Sequence, residues 1–566
     1  MAGAKWRWML PLLVLLITAA VYVRTLEYEF VYDDHGQIEE TTQLSSWSMV
    51  PHYFTGHVWS WKSPNARGPY YRPLFLLWLL LNRSLFDLSP AGWHLTSVLL
   101  HLVVTFMVYM ITRRLTGDIW TAAIASLWFG VHPAHIESVA WISAVTEPLM
   151  CALLLGALFC FWRKGRAWHV WSLALFSAAL LAKETALVFP VLVLAYDWLL
   201  GSKRITRALA VALPYLAVTA VYLGVRLQVL HGLTMTITPM GRREVIFTWP
   251  SMFVFYLQHL IWPVGLTAFY HLPTVPHPAF LNFYLPTGIL LLVAGGMTWW
   301  ARREPLAGFC AIAVFATLLP VLDLRVFARD ETVHDRYLYL PSIGFCILAA
   351  FAVSRLSATR GIRRQIFQPI VAAGIVLLLT AGMVWATVDQ ESQWADNVSL
   401  FERGLAISPN NSISAQGKGT SLLLKNHLSD AISYYQRALA INPEMYEANY
   451  GLARCYYELH MYPEAEPYFK AAAGIKPDEP MLYLYYGLTE FHQERLDIAE
   501  RAVRHGMQLK GPDDVREYHL SLGQILERKG DLKAALAECE AEVLENPEPG
   551  KGLDCVARLK ARLSVE

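Results

Sequence analysis

Charge is scarce in this chain of 566 residues: Asp, Glu, Lys and Arg make up 16% of it, against about 25% in an average soluble domain. That deficit excludes a protein solvated along its whole length. Cysteine is sparse too, with seven residues and no Cys-x-x-Cys pair, so no zinc ribbon or dithiol redox motif is present. Cys151, Cys160, Cys310 and Cys346 lie in apolar runs as packing residues, and the other three are scattered through the C-terminal part. Neither sign of charge dominates, the net charge being +1. Without a basic excess no nucleic-acid partner is expected. The first apolar run, Trp8 to Val23, has no convincing small-x-small cleavage site after it, so it reads as a retained helix and not a signal peptide.

Apolar residues are plentiful, at 55%, and come in runs of about 17 to 22, the length that crosses a hydrocarbon core of about 30 Å as a helix. After the first helix, further spans are expected near 91–112, 119–133, 145–162, 168–182, 185–200, 208–227, 283–300, 305–321, 337–355 and 368–388, giving about eleven. The stretch 245–270 contains Pro250, Pro263, Gln258 and His259 and reads as broken, re-entrant or interfacial. With eleven spans the basic clusters Lys5/Arg7, Arg113/Arg114, Arg163/Lys164/Arg166, Lys203/Arg204/Arg207, Arg302/Arg303 and Arg355/Arg360/Arg363/Arg364 share one side. The positive-inside rule makes that side cytoplasmic. The N-terminus is then cytoplasmic and the C-terminal part extracytoplasmic.

Beyond about residue 390 the sequence turns polar and rich in Ala and Tyr. Pro409, Pro443 and Pro477 recur every 34 residues, and Pro512 and Pro547 follow at 35. That is the period of a tetratricopeptide repeat, with Gly419, Ala431, Gly487, Ala499, Gly523 and Ala535 at its small positions. The expected architecture is all-α: a polytopic transmembrane bundle over 1–390 with a long outer loop at 24–90, then a repeat solenoid over 391–566. The solenoid holds about four repeats and a leading half repeat starting near Trp394.

On this topology the polar clusters gather at the outer face. Asp33 and Asp34 follow the first helix, and two adjacent carboxylates can supply a general base because each raises the pKa of the other; an isolated pair of this kind is ordinarily just solvated. His132, His135 and Glu137 form a His-x-x-His-x-Glu segment, which is not a zinc pattern by itself, so no metal site is assigned and cofactors stay open. This segment is expected to line an interfacial cleft. Lys183 beside Glu184, Arg72, and Arg336 with Tyr337 offer cations that either pair locally or receive a lipid phosphate. In the repeats Tyr446, Tyr450, Tyr456, Tyr483 and Tyr486 either pack or line a groove for an extended peptide.

Taken in order, Tyr32-Asp33-Asp34, Tyr71-Arg72-Pro73-Leu74, His132-Pro133-x-His135-x-Glu137, Lys183-Glu184-Thr185 and Arg336-Tyr337-Leu338-Tyr339-Leu340-Pro341-Ser342-x-Gly344, followed by the repeats, resemble the transmembrane and tetratricopeptide-repeat-containing (TMTC-like) glycosyltransferases of the GT-C fold. One departure is Ala144-Val145-Thr146-Glu147, where a Gly-Arg-x-Glu-like segment is expected. The resemblance implies transfer of a hexose, commonly mannose, from a polyprenyl- or dolichyl-phosphate donor in the membrane lipid to a protein acceptor. In that scheme Asp33 or Asp34 acts as base, Arg336, Lys183 or Arg72 meets the leaving phosphate, His135 and Glu137 position the sugar or hydroxyl, and the repeats recruit the acceptor. It places the repeats in the periplasm of a bacterial inner-membrane protein or the endoplasmic reticulum lumen of a eukaryotic one. Alternatives are transfer to a lipid-linked glycan, a non-enzymatic scaffold, and a transporter, the last weakened because no span carries a charge at its middle.

Overall fold

The computed structural model describes residues 2–60, 68, 70–232, 240–327, 331–357, 362–511, 517–546 and 550–564. Among them every regular element is helical. The chain divides into two compact units, Met1–Ile407 and Ser408–Glu566.

Among the described residues of the first unit, seven helical segments are long and apolar enough to cross a membrane: Trp8–Glu27, Pro90–Thr116, Ile142–Phe161, Ile205–Leu230, Phe280–Ala301, Asp335–Arg355 and Ile370–Trp394. Leu291, Leu292, Leu377 and Leu378 on two of these helices are about seven-tenths or more exposed, a degree of apolar exposure that suits lipid and not water. This is a multi-pass membrane protein. Other segments expected to span are helical but shorter, as at Ile119–Gly130, Arg166–Ala182, Phe189–Leu199 and Pro305–Leu318. Local chemistry sets their ends. Pro73, Pro90 and Pro305 open their helices at the first position, where a missing N–H costs nothing. Asp118 caps the Ile119 helix by accepting from the Thr121 N–H at 2.8 Å.

One segment differs from expectation. The region 24–90 is no simple loop, because it contains the apolar helix Pro73–Phe86; at 14 residues and about 1.5 Å per residue it is too short for a full span, which is why a window set for spans passes over it. The stretch 245–270 is helical from Arg242 to Ile261, includes Pro250, and leaves the helix at Trp262.

The second unit is a stack of helix pairs: Ser412–Leu424 with Leu428–Ile441, Tyr446–Glu458 with Tyr462–Ile475, Pro480–His492 with Leu496–Leu509, and Tyr518–Lys529 with Leu532–Glu545, closed by Lys551–Leu563. The period of small residues follows from contact. A Cβ added at Gly487 would lie 2.6 Å from Val503, one at Gly523 2.7 Å from Cys539 Sγ, and one at Gly451 2.3 Å from the Tyr435 ring, so only glycine lets the paired helices approach. The expected leading half repeat is the helix Asn397–Ile407, which belongs to the first compact unit. Pro512 and Pro547 lie outside the described residues. The sequence also gave no sign that Cys539 and Cys555 are joined as a disulfide, with Cα atoms 6.0 Å apart; it ties the last helix to the final repeat.

Candidate functional site

Loop–helix junctions far apart in the chain meet around two adjoining cavities of the first unit, of about 130 and 60 Å³. Both are lined by Asp33, Tyr70, Trp141 and Arg336. The larger adds Tyr32, Phe269, Phe327, Glu331 and His334. The smaller adds Arg72, Ser143, Thr146, Lys183 and Tyr337.

Each cation here is held by a carboxylate. Arg72 makes a two-point contact with Glu184, Nε to Oε2 at 3.0 Å and Nη2 to Oε1 at 2.6 Å, and its guanidinium lies 4.2 Å from the centre of the Tyr70 ring. Burial would raise the Glu184 carboxyl, yet Arg72, joined by Arg226 and Lys183, holds that group well below the usual range. Arg226 Nη1 approaches the same carboxylate at 3.8 Å. Arg336 grips Glu137 twice, through its backbone N–H to Oε2 at 2.9 Å and through Nη1 to Oε1. Lys183 bonds to Glu147 and does not pair with its neighbour Glu184; burial pulls its ammonium pKa down, with Glu147 resisting. Arg336 and Lys183 both lie 5.1 Å from the centre of the Tyr337 ring. Charges fixed this way are held in place beside the cavities they line.

The two aspartates separate sharply. Asp33 lines both cavities. Asp34 is fully buried, accepting from the Val31 N–H at 3.2 Å, the Ser143 N–H at 2.8 Å and the Ser143 hydroxyl at 2.5 Å. Burial lifts its carboxyl to about 6 against those hydrogen bonds. The expected mutual repulsion of the pair is not the cause.

His132 and His135 line neither of these two cavities. His132 Nε2 is 3.1 Å from the Leu260 carbonyl and its Nδ1 accepts from the Ala134 N–H at 3.3 Å. His135 Nε2 is 2.8 Å from Ser342 Oγ, with its ring against Phe129 and Tyr339. They brace the turn that presents Glu137. Among the described residues no group of three His, Cys, Asp or Glu side chains is placed to hold a metal.

The repeat tyrosines are half-buried and packed among themselves. Tyr446 stacks on Tyr450 at 5.8 Å and Tyr456 on Tyr468 at 5.9 Å, while Tyr486 contacts Phe469 and the Tyr483 hydroxyl donates to the Pro477 carbonyl at 3.0 Å.

Sequence reasoning missed Trp141, Ser143 and Glu331, which line the cavities. Glu147 had one available signal, as the residue that the departing Ala144-Val145-Thr146-Glu147 segment retains.

Comparison with known proteins agrees with both units. The tetratricopeptide repeat family matches residues 422–485. Mouse protein O-mannosyl-transferase TMTC3 is 25% identical over 94% of this chain and 63% of its own length. The Caenorhabditis elegans protein O-mannosyl-transferase F38B6.6 is 26% identical over 70% of this chain and 58% of its own. The chain thus spans about three fifths of the length of these two relatives. Among solved structures, the tetratricopeptide-repeat protein YrrB is 21% identical, covering 29% of this chain and 84% of its own, with a TM-score of 0.27. Along nearly its whole length, then, this chain is similar to proteins named protein O-mannosyl-transferase TMTC3, at about a quarter of positions identical.

Proposed function

We propose that the protein is a GT-C-type glycosyltransferase that moves a hexose such as mannose from a polyprenyl-phosphate donor to Ser or Thr hydroxyls of a protein at the extracytoplasmic face. One observation carries this reading: Asp33 shares its cavities with Arg336, and the smaller cavity also holds Arg72 and Lys183. A base and several cations around one space suit an acceptor hydroxyl and a departing phosphate.

In this scheme the Asp33 carboxylate takes the hydroxyl proton as the oxygen bonds to the anomeric carbon. The bond from that carbon to the phosphate oxygen breaks, and its electron pair leaves with the lipid phosphate. Arg336, Arg72 and Lys183 meet the charge that develops on that oxygen. A single displacement inverts the anomeric centre. Asp34 is not the base, because its oxygens are occupied by Val31 and Ser143; it fixes the turn that carries Asp33. Tetratricopeptide repeats suit protein docking, which assigns acceptor recruitment to the second unit.

The positive-inside pattern supports an extracytoplasmic repeat unit. So does the Cys539–Cys555 disulfide, a bond that persists outside the reducing cytosol, in the periplasm or the endoplasmic reticulum lumen.

The test is incubation of purified protein with a panel of polyprenyl-phosphate sugars and a protein acceptor. Consumption of the mannosyl donor, release of polyprenyl phosphate and a hexose mass increment on Ser or Thr are expected. Absence of transfer from every donor in the panel overturns the reading.

A further inference from the structure

The backbone beside Asp33 adopts a conformation that its sequence does not favour. Tyr32 has φ 54°, the left-handed region that a bulky side chain enters at a cost and holds only when its surroundings impose it. The Tyr32 N–H donates to Asn397 Oδ1 at 2.8 Å. The other end of the same carboxamide, Nδ2, lies 2.7 Å from His35 Nε2. One side chain therefore bridges the residues on either side of Asp33-Asp34.

Donor–acceptor logic fixes the orientation of this bridge. A backbone N–H can only donate, so the amide oxygen must face Tyr32 and the amide nitrogen must face His35. His35 Nε2 is then the acceptor and its proton sits on Nδ1, which meets the Glu39 carboxylate. The Tyr32 ring is enclosed as well, with centroids 5.8 Å from Trp141, 5.4 Å from Phe269 and 6.0 Å from Phe401. Its hydroxyl donates to Glu331 at 2.7 Å.

We infer that Asn397 is a positioning residue that clamps the Tyr32–His35 turn and thereby aims the Asp33 carboxylate into the cavities. The inference rests on the proposed transferase reading for its catalytic consequence, but the clamp itself is measurable without activity. Asn397 opens the helix Asn397–Ile407, the last element before the repeats, so the chain segment that leads to the repeat unit also completes the turn bearing the base.

The test compares Asn397→Leu, which fills similar space with no polar group, and Asn397→Asp, which still accepts from the Tyr32 N–H. Loss of two hydrogen bonds predicts a turnover about tenfold or more lower in Asn397→Leu, with the KM for mannosyl-phosphate polyprenol within about twofold. Asn397→Asp should recover a substantial part of that turnover. Hydrogen–deuterium exchange should quicken in the peptide covering residues 30–36 of Asn397→Leu while the rest of the chain keeps its protection. Turnover of Asn397→Leu within twofold of the unaltered protein, equal impairment of both variants, or unchanged exchange over 30–36 would each overturn the clamp. If the unaltered protein transfers no sugar, the transferase reading fails, and the exchange measurement still decides the clamp.

Discussion

The two units hold their charges in opposite ways. In the repeat unit ion pairs mostly lie on the surface and join neighbouring repeats: Lys476 to Glu447, Arg528 to Glu494, Lys551 to Glu517, Arg558 to Glu527. Their sequence separations, 29, 34, 34 and 31, track the repeat period. In the first unit the pairs are largely buried and join distant segments, Arg72 to Glu184 across 112 residues and Arg336 to Glu137 across 199. Exposed pairs contribute little because water screens them; buried ones cannot lose a partner cheaply. The difference separates charges that decorate a stack from charges that build a site.

The severest way to break this comparison is at Asp33. Asp33→Asn removes the base from both cavities without altering the ion pairs, and transfer should fall by roughly a thousandfold, within the span typical of general-base loss, while the unfolding temperature stays put. Loss of stability in step with loss of activity would place Asp33 among the structural charges. Next comes Glu137→Gln, which takes the buried counter-charge from the mostly enclosed Arg336 and should cost about 3 kcal/mol in detergent unfolding. The matched change in the repeats, Glu527→Gln, removes the partner of Arg558 and Arg562 and should cost less than about 1 kcal/mol. Equal effects from the two would erase the distinction.

The disulfide sharpens it from another side. Its cysteines lie 16 residues apart, and closing a loop of that length contributes about 3 kcal/mol. Reduction should raise hydrogen exchange across Lys551–Leu563 and leave the first unit unchanged. A gentler effect concerns pH. Burial holds Asp34 at about 6, above its ordinary 3.8, so the folded chain binds that proton more tightly than the unfolded one. This contribution is fully present below about pH 4 and is lost as pH rises through about 6, roughly 2–3 kcal/mol in all. Asp34→Asn should flatten that part of the unfolding profile, whereas an unchanged slope would assign it to another group.

Much of the fold is legible in the chain because it is periodic or contiguous. Runs of apolar residues announce the membrane helices, and prolines and glycines at a spacing of 34 announce the repeats. The helix Pro73–Phe86 escaped because it is apolar but short of a span. The candidate site was legible in part. Asp33, Arg72, Lys183 and Arg336 stand in recognisable local motifs, yet the partner of Lys183 is Glu147 and not the adjacent Glu184. His132 and His135 look reactive in sequence, but both nitrogens of His132 are engaged by Leu260 and Ala134, and Nε2 of His135 by Ser342.

The sequence by itself determined what depends on near neighbours: helix length, end signals, repeat period and the all-α architecture, since these arise from spacings of a few residues to one repeat. Only the tertiary structure decided which carboxylate holds which cation, which of two adjacent aspartates meets the cavities, and that Asn397 spans the turn between Tyr32 and His35. Those choices rest on contacts between segments as far as 365 residues apart. Their strength comes from burial and direction of hydrogen bonds, neither of which leaves a period in the chain.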